Sequence, residues 1–292
     1  MLIVYYTSGV TGSGHIVIGL SIYNALRRRN VGSEYKILSS THFVELADRL
    51  GCDHIEVPLE DEKQLSKDRY QESHLYKTLL DLKPDVLIVD QFWFMLHEFI
   101  QELPCKKIFL SRQIADRTFS INIPSGRITF RPGDYDHVIA TEPFKSGIEM
   151  KQINPIVIRN RNEILSREEA LRRLKFVGKK KVCLFAFNGI EGEFERFQKD
   201  FSYLEDVGYN MIYSTNYSGG LFPVVDYFNA FDLIICSAGY NAFWEVTYFQ
   251  KEAFFIPVPR LHESQEKRIE ECQDHTFEKN GADQLVELIE KL

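Results

Sequence analysis

Short segments that are apolar at every position recur along the whole chain, and this pattern constrains the fold most. Strands of this kind are covered on both faces, as in a parallel sheet flanked by helices. Between them, apolar residues recur every three to four positions, as at Ile16, Leu20, Tyr23 and Leu26. We therefore predict an α/β protein of right-handed β-α-β units. The predicted strands are Leu2–Tyr6, Tyr35–Leu38, Val86–Asp90, Lys107–Leu110, His137–Thr141, Val182–Phe187, Met211–Ser214, Leu233–Cys236 and Ala253–Val258.

The length of 292 residues is enough for two domains of this type. Asn154-Pro155 and the polar residues that follow it mark the expected boundary, and Ser166 precedes a helix that begins with acidic residues. We expect two Rossmann-like domains, 1–155 and 156–292, with parallel sheets facing a cleft. The last helix is a candidate to pack back on the first domain.

Charge and cysteine content exclude several classes of protein. The net charge of −7 gives no basic field for nucleic acid, and five widely spaced cysteines form neither a disulfide framework nor a zinc motif. The N-terminus enters an apolar strand without a signal-peptide pattern, and no apolar run approaches the roughly 20 residues of a membrane span. We expect a cytoplasmic protein, and leave peripheral membrane contact and oligomeric state open.

A glycine-rich turn, Gly9 to Gly14, follows the first strand and leads into a helix. Its spacing fits a P-loop, but His15-Ile16 replaces the required lysine and hydroxyl residue. A dinucleotide site is also disfavoured, because the second strand ends in Leu38-Ser39-Ser40 without an acidic residue.

His15 stands at the start of that helix, where the helix dipole favours the neutral imidazole. A neutral imidazole can take a proton from a sugar hydroxyl or from water, so His15 is the predicted catalytic base. The alternative is a histidine that only caps the helix or packs locally. The neighbouring Gly12 and Ser13 are predicted to face an acceptor.

The most informative stretch runs from Phe231 to Glu245. A buried strand ends in Ser-Ala-Gly and opens a helix, whose free N–H groups can hold a diphosphate. Glu245 lies about a turn and a half into this helix, within reach of ribose hydroxyls. Gln265 follows the next strand and offers both a donor and an acceptor to sugar hydroxyls.

This order of motifs resembles the donor-binding domain of GT-B glycosyltransferases. It is similar above all to the bacterial peptidoglycan N-acetylglucosaminyltransferase and to related predicted glycosyltransferases with a G-Y-N-x-x-x-E pattern. The resemblance implies inverting, metal-independent transfer of a hexosyl group from a nucleotide sugar, with UDP as the expected nucleotide and no further cofactor. The acceptor is not identified by these motifs.

The resemblance also implies a donor site. In it, Ser237 to Asn241 would line the diphosphate and sugar pocket, Glu245 would hold the ribose, and Arg159 would neutralise phosphate. Gly220-Leu221 would present backbone to the base. The loop Asn188–Gly192 would contact the diphosphate. It departs from the pattern at Ile190, where relatives often have a small or hydroxyl residue, which weakens the expected contact and puts the anion Glu191 near it. The full donor-binding set is Gly14, Arg159, Gly189, Gly220, Leu221, Ser237, Ala238, Gly239, Tyr240, Asn241, Glu245 and Gln265.

The basic segment Arg112–Arg131 has two interpretations. In one it is an acceptor-side loop, in which Arg117 and Arg127 favour an anionic acceptor group. In the other it is a solvated surface hairpin around Pro124-Ser125-Gly126.

Two other functions remain open at this level. A nucleotide-sugar hydrolase or epimerase would use the same site with water, or the donor itself, in place of an acceptor. A non-catalytic donor-binding subunit would need a partner protein to complete the site.

Overall fold

A computed structural model describes residues 1–9, 12–60, 66–113, 116–123, 126–176, 178 and 180–292, with the backbone alone at residues 116 and 117. Within these residues the chain forms two parallel sheets and one antiparallel hairpin. The strands are β1 (Leu2–Thr7), β2 (Glu34–Ser39), β3 (Asp53–Glu56), β4 (Val86–Asp90), β5 (Lys106–Ser111), β6 (Ser120–Ile123), β7 (Gly126–Thr129), β8 (His137–Ala140), β9 (Lys151–Gln152), β10 (Val182–Ala186), β11 (Asn210–Ser214), β12 (Leu233–Ser237) and β13 (Ala253–Ile256).

Six of the eight described α-helices lie between strands, as the alternation in the sequence predicts, and the last two follow β13. The helices are α1 (Gly14–Arg28), α2 (Val44–Leu50), α3 (His74–Leu82), α4 (Arg167–Arg173), α5 (Glu193–Phe201), α6 (Tyr240–Phe249), α7 (Gln265–Cys272) and α8 (Gly281–Ile289). Ser166 caps α4 as expected, because its side chain accepts a hydrogen bond from Glu169 N.

The first compact unit comprises Met1–Val10, Ile22–Pro155 and Gly281–Leu292. It contains a seven-stranded sheet in the order β3-β2-β1-β4-β5-β8-β9, in which every neighbouring pair is parallel. The hairpin β6–β7 also belongs to this unit and is antiparallel.

Helix α8 therefore groups with the first unit. Asp283 on α8 accepts a hydrogen bond from Arg28 Nη2 at 2.7 Å, and Glu290, just after α8, forms an ion pair with Arg29. Gly281 N donates to Pro155 O, and a Cβ at Gly281 would collide with Asn154 O.

The second compact unit comprises Thr11–Ser21 and Ile156–Asn280. Its sheet has four parallel strands in the order β11-β10-β12-β13. The aromatic face of α5 packs on this sheet through Phe194, Phe197 and Phe201, in agreement with their helical spacing. The division at residues 155 and 156 remains a prediction of the domain boundary.

All nine predicted strands are confirmed, and the prediction of an α/β protein with parallel sheets is confirmed with them. Sequence reasoning missed β3 and β9. Both lie at edges of the seven-stranded sheet and are largely exposed or half-buried, so they lack the continuous apolar pattern of the central strands. No helix in the described part of the chain is both long and apolar enough to cross a bilayer.

Candidate active site

The loops that follow the four strands of the second unit lie at one edge of its sheet. Parallel strands bring their carboxyl ends to the same edge, where ligands of open α/β sheets bind. Gly189 follows β10, Gly220 follows β11, Gly239 follows β12 and Gln265 comes after β13. The topology of the sheet therefore brings Gly189, Gly220, Gly239 and Gln265 to this edge.

The segment around Ser13 is fastened to two of these loops. The Ser13 hydroxyl accepts a hydrogen bond of 2.7 Å from Asn216 Nδ2, and Ser13 N donates to Asn188 O at 3.4 Å. Asn188 Oδ1 in turn accepts from Asn216 N at 2.7 Å. Ser13 is buried, so these bonds are shielded from water. The predicted acceptor-side residue Ser13 is thus engaged by the loops after β10 and β11.

Gly12 makes this close approach possible. Its φ of 67° lies in the left-handed region, and an added Cβ would meet Gly189 O at 2.5 Å and Asn188 O at 3.0 Å. Both contacts are with backbone, which cannot swing away as a long side chain can. A glycine is therefore required here for steric reasons, whatever its role toward an acceptor.

The starts of α1 and α6 are joined directly. Asn241, in the first turn of α6, donates from Nδ2 to Gly14 O at 2.9 Å. His15 is the residue after Gly14, is half-buried, and belongs to the first turn of α1. The backbone carbonyl of Gly14, the residue before His15, is therefore hydrogen-bonded to a side chain in the first turn of α6. The catalytic role of His15 remains a prediction.

The turn that opens α6 has its own support. Gly239 is the N-cap residue with an extended backbone, and no side chain caps the helix. The preceding carbonyl, Ala238 O, accepts a 2.8 Å hydrogen bond from Arg268 Nη1, whose side chain is fully buried and paired with Glu263. Arg268 therefore fixes the carbonyl of this turn. The first N–H groups of α6, which have no acceptor within the helix, are the donors at the helix start.

Glu245 is buried inside the second unit, with only 6% of its surface exposed. Burial raises the pKa of the Glu245 carboxyl to about 8; the negative charge of Asp226 adds to this rise, and Arg159 opposes it. A buried acid with a raised pKa is typical of a functional position. At neutral pH this carboxyl is mostly protonated in the unliganded protein.

Arg159 lies beside Glu245 rather than free to meet phosphate. Its Nε donates to Asp226 Oδ1 at 2.8 Å, and its side chain is 17% exposed. The expected contact of Arg159 with phosphate would have to compete with this ion pair. The two charges instead contribute to the electrostatic environment of Glu245, whose ribose contact remains a prediction.

Two further members of the predicted donor set also have internal partners. Gln265 is buried, and its Oε1 accepts from Val258 N at 2.9 Å, so this oxygen is already used. Tyr240 is buried, and its hydroxyl accepts from Ile156 N at 2.8 Å. Their sugar and phosphate contacts remain predictions that involve the remaining atoms of each side chain.

The loop after β11 forms a tight turn at Gly220 and Leu221. Leu221 N donates to Ser214 Oγ at 3.0 Å, and Gly220 N donates to Thr215 O at the same distance. A Cβ at Gly220 would lie 2.7 Å from Thr215 N, so a side chain is excluded. The role of this backbone in reading a base remains a prediction.

The acceptor-side basic segment is only partly described. The side chain of Arg117 lies outside the described residues, as do Pro124 and Ser125. Arg127 lies on β7, is exposed, and bonds to Ser120 across the hairpin. The antiparallel pairing of β6 and β7 shows a hairpin here, but Ile123 and Ile128 are buried, so it is not solvated throughout, and the preference for an anionic acceptor remains a prediction.

Sequence reasoning missed the side chains that hold these loops together. Six such side chains make contacts between loops of the second unit: Asn188, Asn216, Asp226, Glu193, Arg260 and Arg268. Asn188 and Asn216 closely follow β10 and β11, but a polar residue at the end of a strand is common, and Asp226 and Arg268 lie well beyond the strands that precede them. Among the described residues, no group of three or more histidine, cysteine, aspartate or glutamate side chains could hold a metal ion.

Comparison with known proteins gives structural neighbours only. No protein-family profile matches the chain, and no curated protein matches it by sequence. The glycosyltransferase SsfS6 from Streptomyces sp. SF2575, solved with thymidine diphosphate, aligns over 100% of both chains with a TM-score of 0.64 and 14% identity.

Two other solved glycosyltransferases are similar. The spinosyn rhamnosyltransferase SpnG, solved with spinosyn aglycone, has a TM-score of 0.54 at 13% identity, over 87% of this chain and 80% of SpnG. MurG from Acinetobacter baumannii has a TM-score of 0.54 at 11% identity, over 99% of this chain and 90% of MurG. At these identities the likeness concerns the fold. Together with its two parallel sheets, it shows that this chain has the GT-B fold of these glycosyltransferases.

Proposed function

We propose that this protein transfers a glycosyl group from a nucleoside diphosphate sugar to an acceptor hydroxyl, with inversion at the anomeric carbon. The observation that carries the proposal is the hydrogen bond between Asn241 and Gly14. It joins the helix start suited to a diphosphate with the helix start that bears His15. A proton acceptor and an anion-binding turn in such proximity are what this reaction requires.

The chemistry follows from these two elements. His15 takes the proton of the acceptor hydroxyl while that oxygen forms a bond to the anomeric carbon. The bond from the anomeric carbon to the diphosphate breaks at the same time, and its electron pair leaves with the diphosphate. The first N–H groups of α6 then stabilise the negative charge that develops on the leaving oxygen.

Glu245 is the proposed ribose ligand. It lies inside α6, about one and a half turns beyond Gly239, and is buried under the electrostatic influence of Asp226 and Arg159. A carboxyl group can bond both ribose hydroxyls at once. The nucleotide would then lie along the start of α6, with ribose at Glu245 and diphosphate at Gly239.

The base of the donor is proposed to be a pyrimidine. The resemblance to the peptidoglycan transferase favours UDP, whereas the neighbour SsfS6 was solved with thymidine diphosphate. Both nucleotides share the pyrimidine ring and the diphosphate and differ at the ring methyl and the ribose 2′-hydroxyl. Glu245 would have one fewer hydroxyl to bond in a thymidine donor, so the affinities of UDP and TDP are the informative comparison.

The proposal is tested by binding first and turnover second. Thermal shift with UDP, TDP, GDP and ADP should show stabilisation by at least one pyrimidine diphosphate, since a ligand that binds only the folded state stabilises it. His15→Ala should then lower kcat by roughly 10²–10⁴-fold while the nucleotide affinity stays near the wild-type value. Turnover is followed as nucleoside diphosphate released from a panel of sugar donors, with and without candidate acceptor alcohols.

His42 supplies the matched control, because it is exposed in the first unit. His42→Ala should leave both turnover and nucleotide affinity unchanged. Failure of every nucleotide to stabilise the protein would refute the donor site, and undiminished turnover in His15→Ala would refute the assigned base. Release of nucleoside diphosphate that no acceptor accelerates would identify hydrolysis instead of transfer.

A further inference from the structure

Arg260 and Glu193 form a bidentate ion pair in the second unit that the proposed mechanism does not use. Arg260 Nη1 lies 2.6 Å from Glu193 Oε1, and Arg260 Nη2 lies 2.7 Å from Glu193 Oε2. The two side chains are only 16% and 11% exposed. Parallel bonds of this kind are the strong, geometrically specific form of an arginine contact with an anion.

The pair bridges two loops that are not neighbours in the sheet. Glu193 opens α5 after β10, and Arg260 follows β13, while β12 lies between these strands. Since adjacent strands are about 4.8 Å apart, the bridge spans about 10 Å at the carboxyl edge. The strand that it crosses is the one that ends at Ser237 and leads into the Gly239 turn.

Gly189 gives the guanidinium the space that it occupies. A Cβ at Gly189 would collide with Arg260 Nη2 and would lie 2.6 Å from Glu193 Oε2. The loop that the sequence assigns to the diphosphate is therefore packed against Arg260. Ile190 N also donates to Glu193 Oε2 at 3.1 Å, so the same carboxylate accepts from this loop.

These contacts place a guanidinium fork at the loop assigned to the diphosphate, with a carboxylate seated in the fork. A carboxylate and a phosphate present oxygen pairs of similar spacing to an arginine, which binds either in the same bidentate manner. Arg159, the cation expected there from the sequence, is engaged with Asp226 instead. The edge therefore has another cation in a position to meet the donor.

We propose that Arg260 binds the diphosphate of the donor, and that Glu193 holds the same guanidinium in the unliganded protein. This inference rests on the proposed function. Glu193 acts as an internal competitor, because a carboxylate next to a bound diphosphate repels it. Donor binding then includes an exchange of one anion for another on Arg260, and removing the internal anion makes that exchange easier.

The opposite signs of two substitutions test the proposal. Isothermal titration of UDP and TDP should show affinity lowered by roughly 10–100-fold in Arg260→Gln, the loss of a charge-assisted contact. Glu193→Gln should instead raise the affinity by roughly 3–10-fold, because the competing charge is gone while the side chain keeps its size. Uridine and thymidine, which lack phosphates, should bind both variants within about twofold of the wild type if the contact is with phosphate.

Three controls complete the experiment. Arg260→Lys keeps the charge without the fork and should give an intermediate affinity, which also serves if Arg260→Gln folds poorly. Glu193→Gln placed in the Arg260→Gln background should have no further effect on nucleotide affinity. Glu169→Gln removes a carboxylate from an exposed ion pair on α4 and should change nothing.

A purely structural bridge predicts a different pattern. Both single substitutions would then loosen the loops and weaken UDP, TDP and the nucleosides together, and that outcome would overturn the proposal. Nucleotide binding by the wild type that is insensitive to Arg260→Gln would overturn it as well, while leaving the donor site intact. Absence of nucleotide binding in the wild type would instead refute the proposed function.

Discussion

The carboxyl edges of the two sheets are built in different ways. In the first unit, buried charges hold the edge together: Arg112 Nη2 lies 3.0 Å from Asp90 Oδ2, and Tyr5 donates to the same carboxylate at 2.7 Å. Next to them, Gln113 N donates to the buried Glu142 carboxylate at 2.7 Å. The carboxylates of Asp90 and Glu142 are therefore both engaged by donors of their own unit.

In the second unit, neutral amide side chains make ties of their own beside the ion pairs Arg159–Asp226, Arg260–Glu193 and Arg268–Glu263. Side-chain atoms of Asn188, Asn241 and Gln265 bond to backbone groups, and Asn216 Nδ2 donates to the Ser13 hydroxyl. Such ties fix the loops without adding negative charge where an anion would bind. The comparison shows that the loops at the end of a parallel sheet can be held mainly by buried ionic groups or by ion pairs together with neutral amide side chains, and the amide side chains add no charge where an anion would bind.

The largest expected loss of stability is at the carboxyl edge of the first sheet. Asp90→Ala leaves the Arg112 guanidinium in a buried site without its carboxylate, which should lower the free energy of unfolding by about 3–5 kcal/mol. Chemical denaturation measures this change. Glu72→Ala, which removes an exposed pair with Arg69, is the matched control and should leave the free energy of unfolding close to the wild-type value. Equal losses in the two variants would mean that the Asp90–Arg112 network is not structurally important.

An intermediate loss of stability is expected at the carboxyl edge of the second sheet. Gly12→Ala forces a left-handed backbone on alanine and drives its Cβ against Gly189 O, which should cost about 2–4 kcal/mol. Nucleotide affinity should fall as well, because the loop after β10 must move. Gly32→Ala is the control, since no atom lies within 4 Å of its added Cβ. A Gly12→Ala protein with wild-type stability would mean that these loops are not tightly docked.

The smallest expected effect is a pH-dependent gain of stability in Glu245→Gln. Burial raises the pKa of Glu245 from its ordinary 4.5 to about 8. The carboxyl therefore ionises more readily in the unfolded chain than in the folded protein, and the folded protein loses stability as the pH rises toward 8. Glutamine avoids that loss, so the variant should gain about 2 kcal/mol relative to the wild type between pH 6 and pH 8. Its nucleotide affinity should fall, since the amide replaces an acceptor oxygen by a donor.

The exposed Glu252 provides the control for this pH dependence. Glu252→Gln should follow the wild-type stability curve from pH 6 to pH 8. A Glu245→Gln gain that does not vary with pH would show that Glu245 is ionised in the folded protein throughout this range. The protonation of Glu245 in the unliganded protein would then have to be revised.

Local patterns in the sequence were sufficient for the sheets and for the helix starts. The central strands are apolar at every position because helices cover both faces, so their bounds could be predicted to within about a residue or two. Gly239 and Ser166 were recognisable as helix-start positions because capping depends on residues close in the chain.

Long-range pairing could not be predicted in the same way. Asn216 and Ser13 are 203 residues apart, and neither residue type indicates the other as its partner. The family resemblance assigned Arg159 to phosphate, but Asp226, 67 residues later, is its partner in the folded chain. The pairing of Arg260 with Glu193 is likewise 67 residues apart, so the sequence did not indicate that this arginine lies beside Gly189.

The attachment of α8 to the first unit has a consequence for protein engineering. Residues 281–292 follow the second unit in the chain but belong to the first unit through Asp283, Gly281 and Gln284, and the last of these accepts from Asn154 N at 2.7 Å. A chimera with a single crossover near residue 155 would bring a foreign C-terminal helix to the first unit. Exchange of residues 156–280 should therefore use two junctions, one after Pro155 and one before Gly281, so that the recipient keeps its own final helix.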